Sequence, residues 1–214
     1  MIERYPDYCF NFEGAFRYEL IEEYYPLAFD EITKFVKAGS WYPAGACYEN
    51  GDVNIPSPEA LFRNILLGNN YFKKKFGIKS KDIFLPDCFG FGQALPSVMK
   101  YAGLLGFSTQ KLSWGSASGV PFGLGYWQGP DGSKVLACPN VGSYRSKFDG
   151  DLRGDISIID GVAKNAFASG IPYTMHLYGT GDWGGAPEET SVKSVCGSLR
   201  QNKDSDFDII SAKS

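Results

Sequence analysis

The chain has one histidine in 214 residues, His176, which excludes any metal centre built mainly from imidazole and any hydrolytic site that needs a histidine-rich triad. Its five cysteines, Cys9, Cys47, Cys88, Cys138 and Cys196, are odd in number and scattered, with no C-x-x-C pair. That argues against a zinc ribbon or a dithiol redox motif and leaves free thiols. No apolar run approaches membrane-spanning length, so no membrane partner is expected. The start, Met1-Ile2-Glu3-Arg4-Tyr5-Pro6, lacks the basic-then-apolar layout of a signal peptide. Basic clusters are missing too. The net charge is -3, and the densest group, Lys73-Lys74-Lys75, falls at a predicted helix end where cations complement the dipole. Nucleic acid is therefore excluded as a partner, because backbone neutralisation needs clustered Lys and Arg. No repeat, low-complexity segment or linker divides residues 1–214, which read as one domain.

What is present is enough apolar material for a real core, 43% hydrophobic and 15% aromatic. Amphipathic helices are expected over 15–25 and 26–37, the second opening on Pro26 and closing on Gly39. Ser57-Pro58-Glu59 is a helix start, with Leu61, Phe62, Ile65 and Leu66 as the buried face and Gly77 as the stop. Residues 82–85 read as a buried strand, 95–102 as a helix and 106–110 as the next strand, together a βαβ unit. Pro130-Asp131-Gly132-Ser133 joins a hairpin of 125–128 and 134–137. A loop over 148–155, helices over 158–168 and 188–201, and strands over 172–178 and 207–210 complete an α/β reading.

The βαβ unit puts Asp87 of Phe84-Leu85-Pro86-Asp87-Cys88-Phe89-Gly90-Phe91-Gly92 at the carboxyl end of a parallel strand, where α/β sheets bind ligands. Asp182, in Gly179-Thr180-Gly181-Asp182-Trp183-Gly184-Gly185, also follows a predicted strand, so both acids share a rim. Two such acids suit glycoside hydrolysis, one protonating the leaving oxygen and the other attacking the anomeric carbon or activating water. Alternatives stay open at this level. Asp87 could cap the following helix, and Asp182 could close an Asx turn. Phe89, Trp114, Trp127 and Trp183 are candidate sugar-stacking rings, although most aromatics serve a core. His176, inside a strand, reads as a core residue. Gly90-Phe91-Gly92 is neither a Walker loop nor a dinucleotide fingerprint.

Nearly the whole chain resembles the family 38 glycoside hydrolases, α-mannosidases of the Bacteroides-like bacterial form. The likeness rests on Phe12-Glu13-Gly14-Ala15-Phe16-Arg17-Tyr18, Asp52-Val53-Asn54-Ile55-Pro56-Ser57-Pro58-Glu59, Leu85-Pro86-Asp87-Cys88-Phe89-Gly90, Gly106-Phe107-Ser108-Thr109-Gln110-Lys111-Leu112-Ser113-Trp114 and Gly179-Thr180-Gly181-Asp182-Trp183-Gly184-Gly185. The resemblance implies a partial seven-stranded β/α barrel with mainly parallel strands, truncated at both ends, as an incomplete catalytic domain. It implies a retaining exo-α-mannosidase acting on terminal α-mannose of oligosaccharides or glycans. Asp87 would be nucleophile and zinc ligand, Asp182 the acid/base, and Phe89, Lys111, Trp114 and Asp52 the substrate contacts. The remaining zinc ligands of the family, a His-x-Asp pair and a further histidine, fall outside this chain. Trp183 stands where relatives often carry Gly or His. A bacterial cytoplasm or periplasm and an oligomeric full-length enzyme are both compatible with it.

Two expectations follow from the missing ligands: these 214 residues alone should bind zinc weakly or not at all, and should not turn over substrate. The rival from another class is a noncatalytic or degenerate carbohydrate-binding module, which would keep the aromatics and tolerate loss of either carboxylate.

Overall fold

Each well-signalled helix forms where its caps put it. Helix α3 (Pro58–Phe76) opens with the Ser57 hydroxyl accepting from the Ala60 amide at 3.2 Å, keeps Glu59 in its first turn and Lys73, Lys74 and Lys75 in its last, and ends at left-handed Gly77. Two shorter helices precede it, α1 (Ala15–Tyr24) and α2 (Pro26–Ala38), the latter closed by left-handed Gly39. The computed structural model describes residues 1–113, 120, 122–139, 142–201 and 206–212.

The strands form two small sheets. β1 (Phe10–Glu13) runs parallel to β2 (Trp41–Ala44), with Phe10 opposite Trp41. β3 (Asp82–Phe84), β4 (Gly106–Ser108) and β6 (Lys134–Cys138) are parallel neighbours, and β5 (Gly125–Gln128) adds an antiparallel edge through the expected hairpin. The Ala46 amide, just past β2, donates to the Asp82 carbonyl at 2.8 Å and ties one sheet to the other. Helix α3 comes close enough there that a Cβ on Gly68 would sit 2.3 Å from the Ala46 carbonyl oxygen. Among the described residues the strands do not close into a barrel.

Helix α4 (Leu95–Tyr101) crosses between β3 and β4 as the βαβ reading requires. The main core lies between these helices and the larger sheet, where Ile65, Leu95, Val98 and Met99 meet Ile83, Leu85, Phe107, Val135 and Ala137. Each fully buried Leu, Ile or Phe contributes about 1.5–3 kcal/mol, so this layer fixes the strand ends above it. A second cluster joins Ala15 and Tyr18 of α1, Ile32 of α2 and Phe72 of α3. The Tyr18 hydroxyl donates to the Phe12 carbonyl at 2.8 Å and accepts from Trp41 Nε1 at 2.9 Å.

Five expectations change. On α3 the expected buried face is only partly buried: Ile65 is buried and Leu61 packs on the core, but Phe62 and Leu66 are exposed, and Asn69 and Phe72 are buried instead. Residues 172–178 lie beside α5 (Ile156–Ser169) without strand pairing, the Tyr173 carbonyl being taken by Asn165 of that helix at 2.7 Å. Residues 207–210 alternate correctly, with Phe207 and Ile209 packed on Leu152, Ile158 and Val195, yet no ladder forms there. The expected loop over 148–155 contains a 3-10 turn, Leu152–Gly154, anchored by buried Leu152. Helix α1 is barely amphipathic, burying only Ala15 and Tyr18. The last helix, α6 (Glu189–Arg200), forms as expected.

Candidate active site

Asp87 lies three residues past the end of β3, and its position is set from below by backbone. The Leu85 amide donates to the Ser108 carbonyl at 3.0 Å, and the buried Thr109 hydroxyl donates to the Leu85 carbonyl at 2.7 Å. The same hydroxyl accepts from the Lys111 amide at 3.2 Å, so the ends of β3 and β4 are laced together. That lacing aims Lys111, whose side chain is 5% exposed, at Asp87, whose side chain is 58% exposed: Nζ to Oδ1 is 2.6 Å. The ammonium also lies 5.1 Å from the Phe89 ring centre and 5.8 Å from that of Tyr144. Asp87 is therefore not a helix cap, and α4 starts eight residues later with Ala94 at its cap and no side-chain bond there.

Asp182 reaches the same place from another direction. Its Oδ1 accepts from the Tyr144 hydroxyl at 3.2 Å and its Oδ2 from Arg145 Nη1 at 2.9 Å. The Asx-turn alternative fails in this arrangement, because both carboxylate oxygens are directed at side chains across the rim. Asp182 is the non-glycine residue with positive φ among the described residues, at 64°. Beside it, a Cβ on residue 181 would lie 1.9 Å from Tyr144 Cε2, so only glycine lets the tyrosine ring cross the loop. The Tyr144 amide is fixed in turn by the buried Gln110 side chain, N to Oε1 3.1 Å. Burial, then the Asp87 carboxylate, then the bond to Asp182 hold the Tyr144 phenol above its ordinary range.

The two carboxylates come into one neighbourhood, linked in the order Asp87, Lys111, Tyr144, Asp182, although the strand expected to carry Asp182 to the rim of the sheet does not pair. Phe89, 71% exposed, flanks Lys111 as an open ring face. Asp52 does something else with at least one oxygen: Oδ1 accepts from the Asn54 and Ile55 amides at 2.6 and 2.9 Å, a turn-forming role. Trp114 lies outside the described residues. Trp127 packs edge-on against Phe107 at 5.1 Å in the core, which removes it from the candidate stacking rings, whereas Trp183 stands fully out in solvent. His176 is half-buried against Thr174, with burial pushing its pKa down, in a segment that does not form the expected strand.

Tyr144 and Arg145 escaped the sequence reading. They follow β6 as Asp87 follows β3, so the carboxyl-end rule that singled out the aspartate points equally to them. Thr109 and Gln110 were legible only as strand residues. Glu13, at the carboxyl end of β1, is a further surprise: its Oε2 is shut off from solvent without a hydrogen-bond partner, and burial pushes its carboxyl up to about 7 against the smaller pull of Asn50 and Arg17.

A zinc ion does not fit these residues by themselves. Among the described residues no group of three or more His, Cys, Asp or Glu side chains could hold a metal. Asp87 presents one carboxylate with Lys111 already on Oδ1. Cys88 beside it donates to the Gly51 carbonyl at 3.1 Å, with its thiol pushed up to about 11 by burial and nearby acids, the wrong state for a ligand.

Comparison with known proteins bears on the chain as a whole. Residues 1–208 match the family described as glycosyl hydrolases family 38, N-terminal domain. The chain is 35% identical over 187 residues to alpha-mannosidase G of Dictyostelium discoideum, covering 87% of this chain and 17% of that protein. It is 34% identical over 194 residues to human alpha-mannosidase 2C1, covering 90% of this chain and 18% of that protein. The chain thus spans under a fifth of these relatives' lengths. Among solved structures, an alpha-mannosidase from Enterococcus faecalis V583 superposes with a TM-score of 0.65 at 20% identity, over 83% of this chain and 21% of that one. A 4-alpha-glucanotransferase from Thermococcus litoralis gives 0.60 at 16% identity, over 94% of this chain and 33% of that one. These two likenesses concern the fold.

Proposed function

Because the chain belongs to glycosyl hydrolase family 38, we propose that the protein carrying it is a retaining exo-α-mannosidase that removes terminal α-mannose from oligosaccharides or glycans. Asp87 is the nucleophile and Asp182 the acid/base. The observation that carries this reading is the continuous rim from Asp87 through Lys111 and Tyr144 to Asp182, which sets two exposed carboxylates of different surroundings beside one open aromatic face. In that reaction Asp182 hands a proton to the leaving oxygen while Asp87 attacks the anomeric carbon. Water then hydrolyses the glycosyl ester with Asp182 taking its proton. Lys111 holds Asp87 aimed, and Phe89 offers its ring to the apolar face of the sugar.

Residues 1–214 form part of a seven-stranded β/α barrel in this reading, the missing strands coming from the longer protein. A zinc ion, if the intact protein holds one, takes Asp87 as one ligand and draws the others from outside these residues. Phe89, Lys111 and Trp114 border the substrate, whereas the turn bonds of Asp52 give it a supporting role.

The test is hydrolysis of 4-nitrophenyl α-mannoside by the full-length protein, with product stereochemistry followed by NMR. We expect α-mannose as first product, and loss of at least about a thousandfold in kcat for Asp87→Asn. Mannoside binding without turnover in the intact protein would instead support the noncatalytic module.

A further inference from the structure

The Asp182 carboxylate has two neighbours of opposite consequence. Arg145 is a donor-only group, so its bond to Oδ2 at 2.9 Å is compatible with an ionised carboxylate and not with a proton on that oxygen. The Tyr144 hydroxyl donates to Oδ1 at 3.2 Å, and it can do so whether Oδ2 carries a proton or not. A general acid must be protonated when the leaving group departs. With the proton on Oδ2, the contact from Tyr144 persists through that step and the contact from Arg145 does not.

Tyr144 is also built to stay put, which Arg145 is not. Its amide is bonded to buried Gln110, its ring fills the space left by the absent side chain of Gly181, and Lys111 lies against its face. Arg145 has a side chain 57% exposed, facing an acid 54% exposed. The acid itself sits in Gly179-Thr180-Gly181-Asp182-Trp183-Gly184-Gly185, a loop with three positive-φ glycines and no strand pairing. Something outside the loop must define where its carboxyl points.

We propose that Tyr144 is a positioning residue for proton transfer at Asp182: its hydroxyl fixes Oδ1 so that Oδ2 faces the glycosidic oxygen, and substrate displaces Arg145 from Oδ2. This rests on the mannosidase reading above. In the first half-reaction the C1–O bond breaks as Asp87 bonds to C1, and the Oδ2 proton moves to the departing oxygen. In the second, water attacks C1, the ester bond to Asp87 breaks, and the water proton returns to Oδ2. Arg145 stabilises the ionised carboxylate only when the site is empty.

The experiment uses the full-length protein and two substrates, an α-linked mannobiose, whose leaving alcohol needs a proton, and 2,4-dinitrophenyl α-mannoside, whose leaving group does not. For Tyr144→Phe, which keeps the ring and its packing, kcat on mannobiose should fall about tenfold or more at nearly unchanged KM. On the dinitrophenyl substrate the rate of the first-turnover burst of dinitrophenolate should stay within about twofold, since that step needs no acid, while the following steady state slows because ester hydrolysis uses Asp182 as base. Equal losses in the mannobiose kcat and in the burst rate, or no loss in either, overturn the proposal. A wild-type protein that hydrolyses neither mannoside overturns the mannosidase reading and this proposal with it.

Discussion

The two halves of the rim are made in different ways. Asp87 stands on a sheet: β3 and β4 are paired beneath it, Thr109 locks their ends together, and its partner Lys111 is sunk into the protein. Asp182 stands on a glycine-rich loop, exposed, with a positive φ, and its partners Tyr144 and Arg145 come from a different irregular segment. The contrast suits the two jobs proposed for them. A nucleophile has to meet one carbon at one distance, whereas an acid that later acts as base has to exchange protons with a leaving group and then with water.

Perturbations should separate the two sides, and Glu13 gives the largest stability effect. Its carboxyl lies at about 7 in the folded protein against an ordinary value of 4.5. Between those values the folded state holds a proton that the unfolded state has released, so stability falls as pH rises from about 4.5 to about 7. Glu13→Gln removes that loss. Denaturant unfolding should show the variant more stable than wild type at pH 8, on the order of 3 kcal/mol, with the gain gone below pH 4.5.

A matched pair of cuts compares the sheet and the loop. Thr109→Val leaves the Leu85 carbonyl without its buried donor and should cost about 1–3 kcal/mol. Arg145→Gln removes an exposed ion pair from the loop side and should change stability by no more than about 1 kcal/mol. Equal costs in unfolding experiments would erase the distinction drawn between the two halves.

The same distinction decides what the sequence revealed. Asp87 was legible because everything that positions it is local: a strand, a turn and a helix within about thirty residues. Helix α3 was legible from its caps. β2 was not, since Trp41-Tyr42-Pro43-Ala44 carries a proline that argues against a strand, and β1 has only four residues of alternation. The 172–178 run has strand composition, but pairing depends on a neighbour that composition does not supply. Tyr144 was missed for the same reason, because its meaning comes from contacts to Gln110 and Asp182, 34 and 38 residues away. The further metal ligands implied by family resemblance were expected outside this chain, and among the described residues no group of three or more His, Cys, Asp or Glu could hold a metal.

The central claim, that the carboxylate on the sheet attacks and the one on the loop delivers the proton, is tested most directly by comparing Asp87→Asn and Asp182→Asn on 2,4-dinitrophenyl α-mannoside in the full-length protein. Asp87→Asn should abolish release of the first dinitrophenolate. Asp182→Asn should retain an initial burst followed by a slow steady state, because mannosylation of Asp87 no longer needs an acid while its hydrolysis still needs a base. A burst in Asp87→Asn, or its absence in Asp182→Asn, would contradict the assignment.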